Sequence, residues 1–305
     1  MWIGGVCCLD APVWKINSCE CLQDVCDIAP AGTTILLPKG DICQKLIIRT
    51  PHLSLIGAGA DRTRIIFGDY ARMSDSVNRP LGTFRSYTVA IVAPGVTMSD
   101  LSVINNAGDP AEKGQQVALS VYGDGFRMLR CCLRSTQDTV FLGPLPSDLI
   151  IRYRELLPSD LCFDAKIRSR FEQCMIEGSV DFIFGGGEAE FCDCEIRSVY
   201  DGRSTGYVAA PSHSRIQQSG FLFDRCRFTS DGIVPPKSVF LARPWRSFGM
   251  AFFLECDYGD HIISSGFDPW GSSGRSATAR FYEYPLDPRR VNWARDGSAS
   301  PEISI

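Results

Sequence analysis

The sequence predicts an all-β solenoid closed at its N-terminal end by a short helix, and three observations carry that prediction. From Thr33 onward, short apolar runs alternate with turn residues. Almost no segment after residue 30 shows a convincing helical period. A cysteine followed two residues later by an apolar residue recurs at Cys131/Leu133, Cys174/Ile176, Cys194/Ile196, Cys226/Phe228 and Cys256/Tyr258. The repeats lie about 20 to 30 residues apart once a Pro-, Leu- and charge-rich insertion, Pro144 to Lys166, is set aside. Coils of that size, stacked in register, would line an interior ladder with small thiols. A β-sandwich is the alternative, and the recurring cysteines favour the solenoid.

Taken in order, residues 1 to 30 are cysteine-rich, with Cys7, Cys8, Cys19, Cys21 and Cys26. Their spacing fits no common zinc pattern and no histidine is near, so a helix over Ser18 to Ile28 capping the core is expected, with no metal. Strands then follow at Thr34–Leu37, Leu46–Ile48, Leu53–Ile56 and Arg64–Phe67, each ended by Pro, Gly, Thr or Asp. The pattern runs past Tyr282. The tail from Asp287 to Ile305 is expected to pack loosely, and residues 1–305 to form a single domain.

Composition bounds the function. The chain has 305 residues, 45% hydrophobic and 22% charged, with a formal net charge of -4. An acidic chain argues against nucleic-acid binding by phosphate neutralisation. No run is long and apolar enough to span a membrane. Met1 to Trp14 has no basic region followed by an apolar one, so no signal peptide is read. With 14 cysteines read as thiols, a cytoplasmic location is expected, or a secreted one if a leader precedes this sequence.

Chemistry concentrates at two acids. Gly178-Ser179-Val180-Asp181-Phe182-Ile183-Phe184-Gly185 places one carboxylate inside a β-branched and aromatic run. Alternation puts Val180, Phe182 and Phe184 on one face, and Asp181 and Ile183 on the other. An acid there is costly to bury unless paired. The second acid is Asp138, in Ser135-Thr136-Gln137-Asp138-Thr139. Asp138 follows Cys131 by seven residues, and Asp181 follows Cys174 by seven. Stacked coils would bring the two side by side, about 4.8 Å apart along the ladder. Like charges that close push one carboxyl to stay protonated while the other ionises. Both could instead simply bond turn amides. Glutamine amides, Gln137 and the pair Gln115-Gln116, could donate to a developing oxyanion. Leu241-Ala242-Arg243-Pro244-Trp245 offers a cation for a carboxylate and a flat face for a sugar. The three histidines, His52, His213 and His261, lie in no nucleophile-elbow context and are expected on the surface or in turns.

Together these segments resemble the pectin methylesterase (pectinesterase) family over most of the chain. The matching stretches include Leu53–Gly59, Asn105-Asn106-Ala107-Gly108, Gln115–Val121, Gln137–Phe141, Gly178–Gly185, Arg243–Trp245 and Gly266–Trp270. The resemblance implies a right-handed parallel β-helix that hydrolyses galacturonate methyl esters without cofactor or metal. It implies Asp181 as nucleophile, Asp138 as general acid and then base, and Arg243 as the group orienting the nucleophile. Gln137 and Gln115 become oxyanion donors, with Gln115 rather than Gln116 set by alignment on Val117-Ala118-Leu119. Trp245, Trp270, Thr83 and Phe184 become substrate-binding positions. The chain departs from the family at Gly186-Gly187, Tyr207–Ser212, Ala242, Phe267 and the insertion after the Asp138 strand.

The expected function is demethylesterification of pectin or methylated oligogalacturonides by a monomer with no nucleic-acid or membrane partner. An esterase of altered specificity, for instance on acetyl groups, and a catalytically silent pectin-binding β-helix are the alternatives. A glycosidase on the same fold would need a different Asp/His set. A cytoplasmic enzyme would meet short oligosaccharides rather than polymer.

Overall fold

The computed structural model describes residues 11–17, 21–161 and 166–299. Residues 1–10, with Cys7 and Cys8, and Cys19 lie outside that range. The described strands form three parallel sheets of eleven, seven and eight strands. One coil shows the path. Phe126–Leu129 lies in the eleven-stranded sheet, Cys132–Arg134 in the eight-stranded sheet and Val140–Leu142 in the seven-stranded sheet. The next coil repeats it with Arg168–Glu172, Met175–Gly178 and Val180–Gly185. This is the right-handed parallel β-helix. Helix α1, Leu22–Ile28, buries Leu22 and Cys26 against the end of the core; residues 18–20 of the expected helix lie outside the described residues, and Cys21 precedes the helix as its cap.

The cysteine repeat has a conformational cause. Between the eleven- and eight-stranded sheets six successive coils turn on one left-handed residue: Asp100, Arg130, Gln173, Asp193, Arg225 and Glu255 all have φ between 49° and 56°. In the last five coils the next residue is the ladder cysteine. That corner is crowded, and a small thiol fits it. Each sulfur also finds a carbonyl on the neighbouring coil: Cys194 Sγ donates to Phe171 O at 3.5 Å and Cys226 Sγ to Phe191 O at 3.1 Å. The described cysteines are all free thiols.

Beside the thiols runs an aromatic ladder. Phe171, Phe191, Phe223 and Phe253 stack with centroids 4.9, 4.8 and 4.9 Å apart and planes within 14° of parallel. That spacing is the strand spacing itself, so the register of the sheet dictates the stack.

Three expectations are corrected here. The tail does not pack loosely as far as it is described: Trp293 lies against Phe267 and Phe281, and buried Arg290 pairs with Glu283 at 2.6 Å. The insertion holds a helix, α3 over Ser147–Tyr153, that a short sequence with prolines on both sides did not reveal. A four-residue helix, α2, spans Pro110–Lys113. His52 and His261 lie in turns as expected, His52 exposed and His261 buried, whereas His213 is buried outside any turn. His213 Nδ1 accepts from the Met250 N–H at 3.2 Å, which leaves the Nε2 hydrogen for Gly187 O at 2.9 Å. The imidazole is thus spent on two backbone groups of the loop edges.

Two outcomes test this scaffold. Phe223→Ala should cost about 3–5 kcal/mol of unfolding free energy in urea melts, because the stacked column cannot collapse around one missing ring. A cost under 1 kcal/mol would show that the column is not under packing constraint. Burial lowers the His213 pKa from 6.5 to about 4. The unfolded chain therefore takes up the proton first, and stability falls as pH drops from about 6.5 towards 4, by about 3 kcal/mol in full. The pH slope over that window should flatten in His213→Gln, which carries no titrating proton.

Candidate active site

The seven-stranded sheet carries the two acids on its outer face. Val140 pairs with Ile183, Phe141 with Phe184 and Leu142 with Gly185. Gln137 and Val180 form a bridge just before. In that register Asp138 and Asp181 occupy equivalent positions on neighbouring coils, as the seven-residue offset predicts. Both are left-handed, with φ of 63° and 49°. Aspartate tolerates that region better than most residues. After Asp181 the strand bulges: Val180 pairs with Tyr207 and Ile183 with Ala209, so one extra residue stands on the Asp181 side. Bulges re-aim side chains, and this one breaks the expected alternation. Phe182 and Ile183 both enter the interior core, while Phe184 joins an outer aromatic cluster. Phe182 and Phe184 therefore do not share a face. The glycine before the bulge is required, since a Cβ on Gly178 would stand 2.2 Å from Phe182 Cβ. Gly185 has φ of 132°, and a Cβ there would meet Leu142 O at 1.9 Å.

Arg243 follows the strand Val239–Ala242 and reaches back across the sheet. Its Nε donates to Asp181 Oδ1 at 2.7 Å and its Nη2 to Oδ2 at 2.6 Å. The guanidinium is held flat between two rings, 3.7 Å from the Tyr207 centroid and 4.1 Å from that of Trp270. Such planar, bidentate geometry is specific to arginine. Tyr207 in turn stacks on Phe240 at 5.5 Å.

The two carboxyls differ in surroundings. Burial pushes Asp138 well above the ordinary carboxylate range and the Asp181 charge adds to it, against the pull of Arg243. Burial also raises Asp181, but two bonds from Arg243 oppose it. Asp138 is the acid more strongly displaced upward.

The remaining predicted positions sort as follows. Gln137 stands beside Asp138, half-buried. Gln115 is half-buried, whereas Gln116 is buried with its Nε2 on Gly108 O at 2.8 Å. Phe184 meets Trp245 edge-on at 5.8 Å. Thr83 opens a short 3-10 turn whose Phe84 packs on Phe141 and, more distantly, on Phe184. Trp270 has one face covered by Arg243. Sequence reading missed Arg203, whose Nη2 donates to Gln137 Oε1 at 2.7 Å, and the role of Tyr207 under Arg243. Neither lies on the cysteine period, so no spacing pointed to them.

The insertion forms a strap over the same face. Leu145, Leu149, Leu157 and Leu161 bury against Phe84, Tyr122, Phe141 and Phe184. Asp148 pairs with Arg246 at 2.9 Å, beyond one edge strand of the sheet, and Asp160 with Arg49 at 2.8 Å, beyond the other. The strap thus crosses the sheet beside the acids. Among the described residues no group of three or more His, Cys, Asp or Glu is placed to hold a metal ion.

Comparison with known proteins gives a consistent picture. The family model described as Pectinesterase matches residues 21–144 and 158–294. The protein named probable pectinesterase 30, from Arabidopsis thaliana, is 32% identical over 80% of this chain, which spans 45% of that protein's length. A pectin methylesterase solved in complex with a hexasaccharide superposes with a TM-score of 0.77 and 25% identity, covering 95% of this chain and 94% of that one. Pectin methylesterase from carrot gives 0.76 at 22% identity, covering 93% and 87%, and speaks for the fold.

Arg243→Gln tests the electrostatics of the site. Without its cation, buried Asp181 should move further up in pKa. A carboxyl raised in the folded state binds a proton that the unfolded chain has lost, so stability falls as pH rises through the window between the two values. The variant should therefore melt progressively lower than wild type as pH rises above about 4, and Asp181→Asn on the same background should remove the difference. A pH-independent gap would overturn the pairing.

Proposed function

The chain belongs to the pectinesterase family, and from that premise we propose how it removes methyl esters from pectin. Ionised Asp181 attacks the ester carbonyl carbon, and the carbonyl electrons move onto oxygen. The side-chain amides of Gln137 and Gln115 donate to that oxyanion. Collapse breaks the bond to the methoxy oxygen, which takes the Asp138 proton and leaves as methanol. An acyl-enzyme on Asp181 remains. Asp138, now a carboxylate, takes a proton from water as the water attacks the acyl carbon. The second tetrahedral intermediate collapses to the galacturonic acid carboxyl, which gives its proton to solvent, and ionised Asp181, and Asp138 is again protonated.

One observation carries this assignment: Arg243 bonds both oxygens of Asp181 and none of Asp138. The charge partner favours the ionised form of Asp181, while burial favours the protonated form of Asp138. The unequal environments separate a nucleophile from an acid. Trp245 and Phe184, with Thr83 beside them, are read as the surface against which the sugar lies.

Two finer readings go with it. We read the strap as narrowing the cleft beside the acids and so favouring short methylated oligogalacturonides. Turnover on methylated trimers should then match or exceed that on polymeric pectin, and a strong preference for polymer contradicts it. The free thiols favour a reducing compartment for a monomeric enzyme. Recovery from the extracellular fraction would overturn that location. Among the described residues no helix is long and apolar enough to cross a membrane.

The direct test is methanol release from highly methylated pectin. Asp181→Ala should release none while keeping the wild-type circular dichroism spectrum. Asp138→Asn, which keeps shape but loses the transferable proton, should lower kcat by about 10²–10⁴-fold. Retained turnover in Asp181→Ala removes the nucleophile assignment.

A further inference from the structure

We propose that Arg203, braced by Asp201, is a positioning residue that fixes which way the Gln137 side-chain amide points. The inference rests on reading Gln137 as an oxyanion donor. A glutamine amide has an accepting oxygen at one corner and a donating NH2 at the other, and a rotation of half a turn exchanges them. Only one of the two orientations presents hydrogens to a developing negative charge. A guanidinium carries donors and no acceptor. Arg203 Nη2 stands 2.7 Å from the Gln137 amide oxygen. The flipped amide would set NH2 against the guanidinium, two donors facing each other. The cation therefore holds the oxygen on its own side and leaves the NH2 for the side of Asp138.

Arg203 is itself anchored. It sits partly exposed on the segment between Glu195–Ser198 and Gly206–Pro211. Its backbone N–H donates to Asp201 Oδ1 at 3.1 Å, and its Nε lies 3.4 Å from Asp201 Oδ2. The Asp201 side chain is only 4% exposed. Asp201 Oδ2 accepts from Ser179 Oγ at 2.6 Å. Ser179 stands two residues before Asp181, and its N–H donates to Thr136 O at 2.6 Å. Thr136 immediately precedes Gln137. The contacts close a ring from Thr136 through Ser179, Asp201 and Arg203 back to Gln137. That ring spans both coils that carry the acids, so the amide is aimed from the strand that presents Asp181.

The test is steady-state methanol release by wild type, Gln137→Ala, Arg203→Met, Arg203→Lys and the double variant Gln137→Ala/Arg203→Met. Gln137→Ala should lower kcat by about 100-fold, the scale of one lost oxyanion donor. Arg203→Met should lower kcat by about 10-fold, short of that full loss, with KM close to wild type. Arg203→Lys keeps a cation and a donor without an acceptor, and should recover part of the loss. It also guards against a Met variant that folds poorly. The double variant should be no slower than Gln137→Ala, because with no amide left to aim, Arg203 has nothing to hold. Full kcat in Arg203→Met, a rise in KM alone, or losses that multiply in the double variant would each overturn the positioning role while leaving Gln137 as donor. Full kcat in Gln137→Ala would instead remove the oxyanion reading, and this inference with it.

Discussion

The pairing of Val140 with Ile183 sets the electrostatics of the candidate site. In a parallel ladder the register of one pair fixes all its neighbours. Residue 138 must then lie beside residue 181, and two carboxyl groups are brought within about one strand spacing in a site shielded from water. At an effective dielectric of 20 and about 5 Å, two like charges repel by about 3 kcal/mol. The fold can hold such a pair only if one acid stays neutral or a cation intervenes. Both conditions are met, and they are met unequally. Arg243 gives both of its bonds to Asp181, and Asp138 is left to burial.

The rest of the site serves that asymmetry. A guanidinium free to swing would divide itself between two acids. Here Tyr207 and Trp270 cover its two faces and keep its fork in the plane of one carboxylate. The bulge beyond Asp181 turns Phe182 and Ile183 inward together, which frees the outer face for the acid and for Phe184. Gly178 and Gly185 mark the places where backbone and ring come too close for any side chain. Outside this ring of contacts the strap buries four leucines on the same face, so the sheet is dry on that flank of the acids.

Much of this was legible before any coordinates. The cysteine repeat tracks the left-handed corners because each coil makes the same turn into the same crowded space. The equal offsets of Asp138 and Asp181 follow from that repetition. What escaped is aperiodic. Helix α3 is seven residues long, between prolines, and forms where Leu149, with Leu145, Leu157 and Leu161 outside the helix, joins the cluster of Phe141 and Phe184. His213 reads as a turn residue until Met250 and Gly187, far apart in sequence, close on its two nitrogens. Trp293 looks like part of a loose tail until Phe267 and Phe281 cover the coil end.

Sequence alone thus determined the solenoid, the coil length, the two acids and their adjacency, since all of these repeat along the chain and a period can be read without knowing what it packs against. Tertiary structure decided which acid is paired, which residues hold Arg243 flat, where the bulge sends Phe182, and that Arg203 meets Gln137. Those contacts join loops of unrelated length from different coils. Their geometry depends on where each loop happens to pass once the ladder is stacked, and no local pattern encodes that.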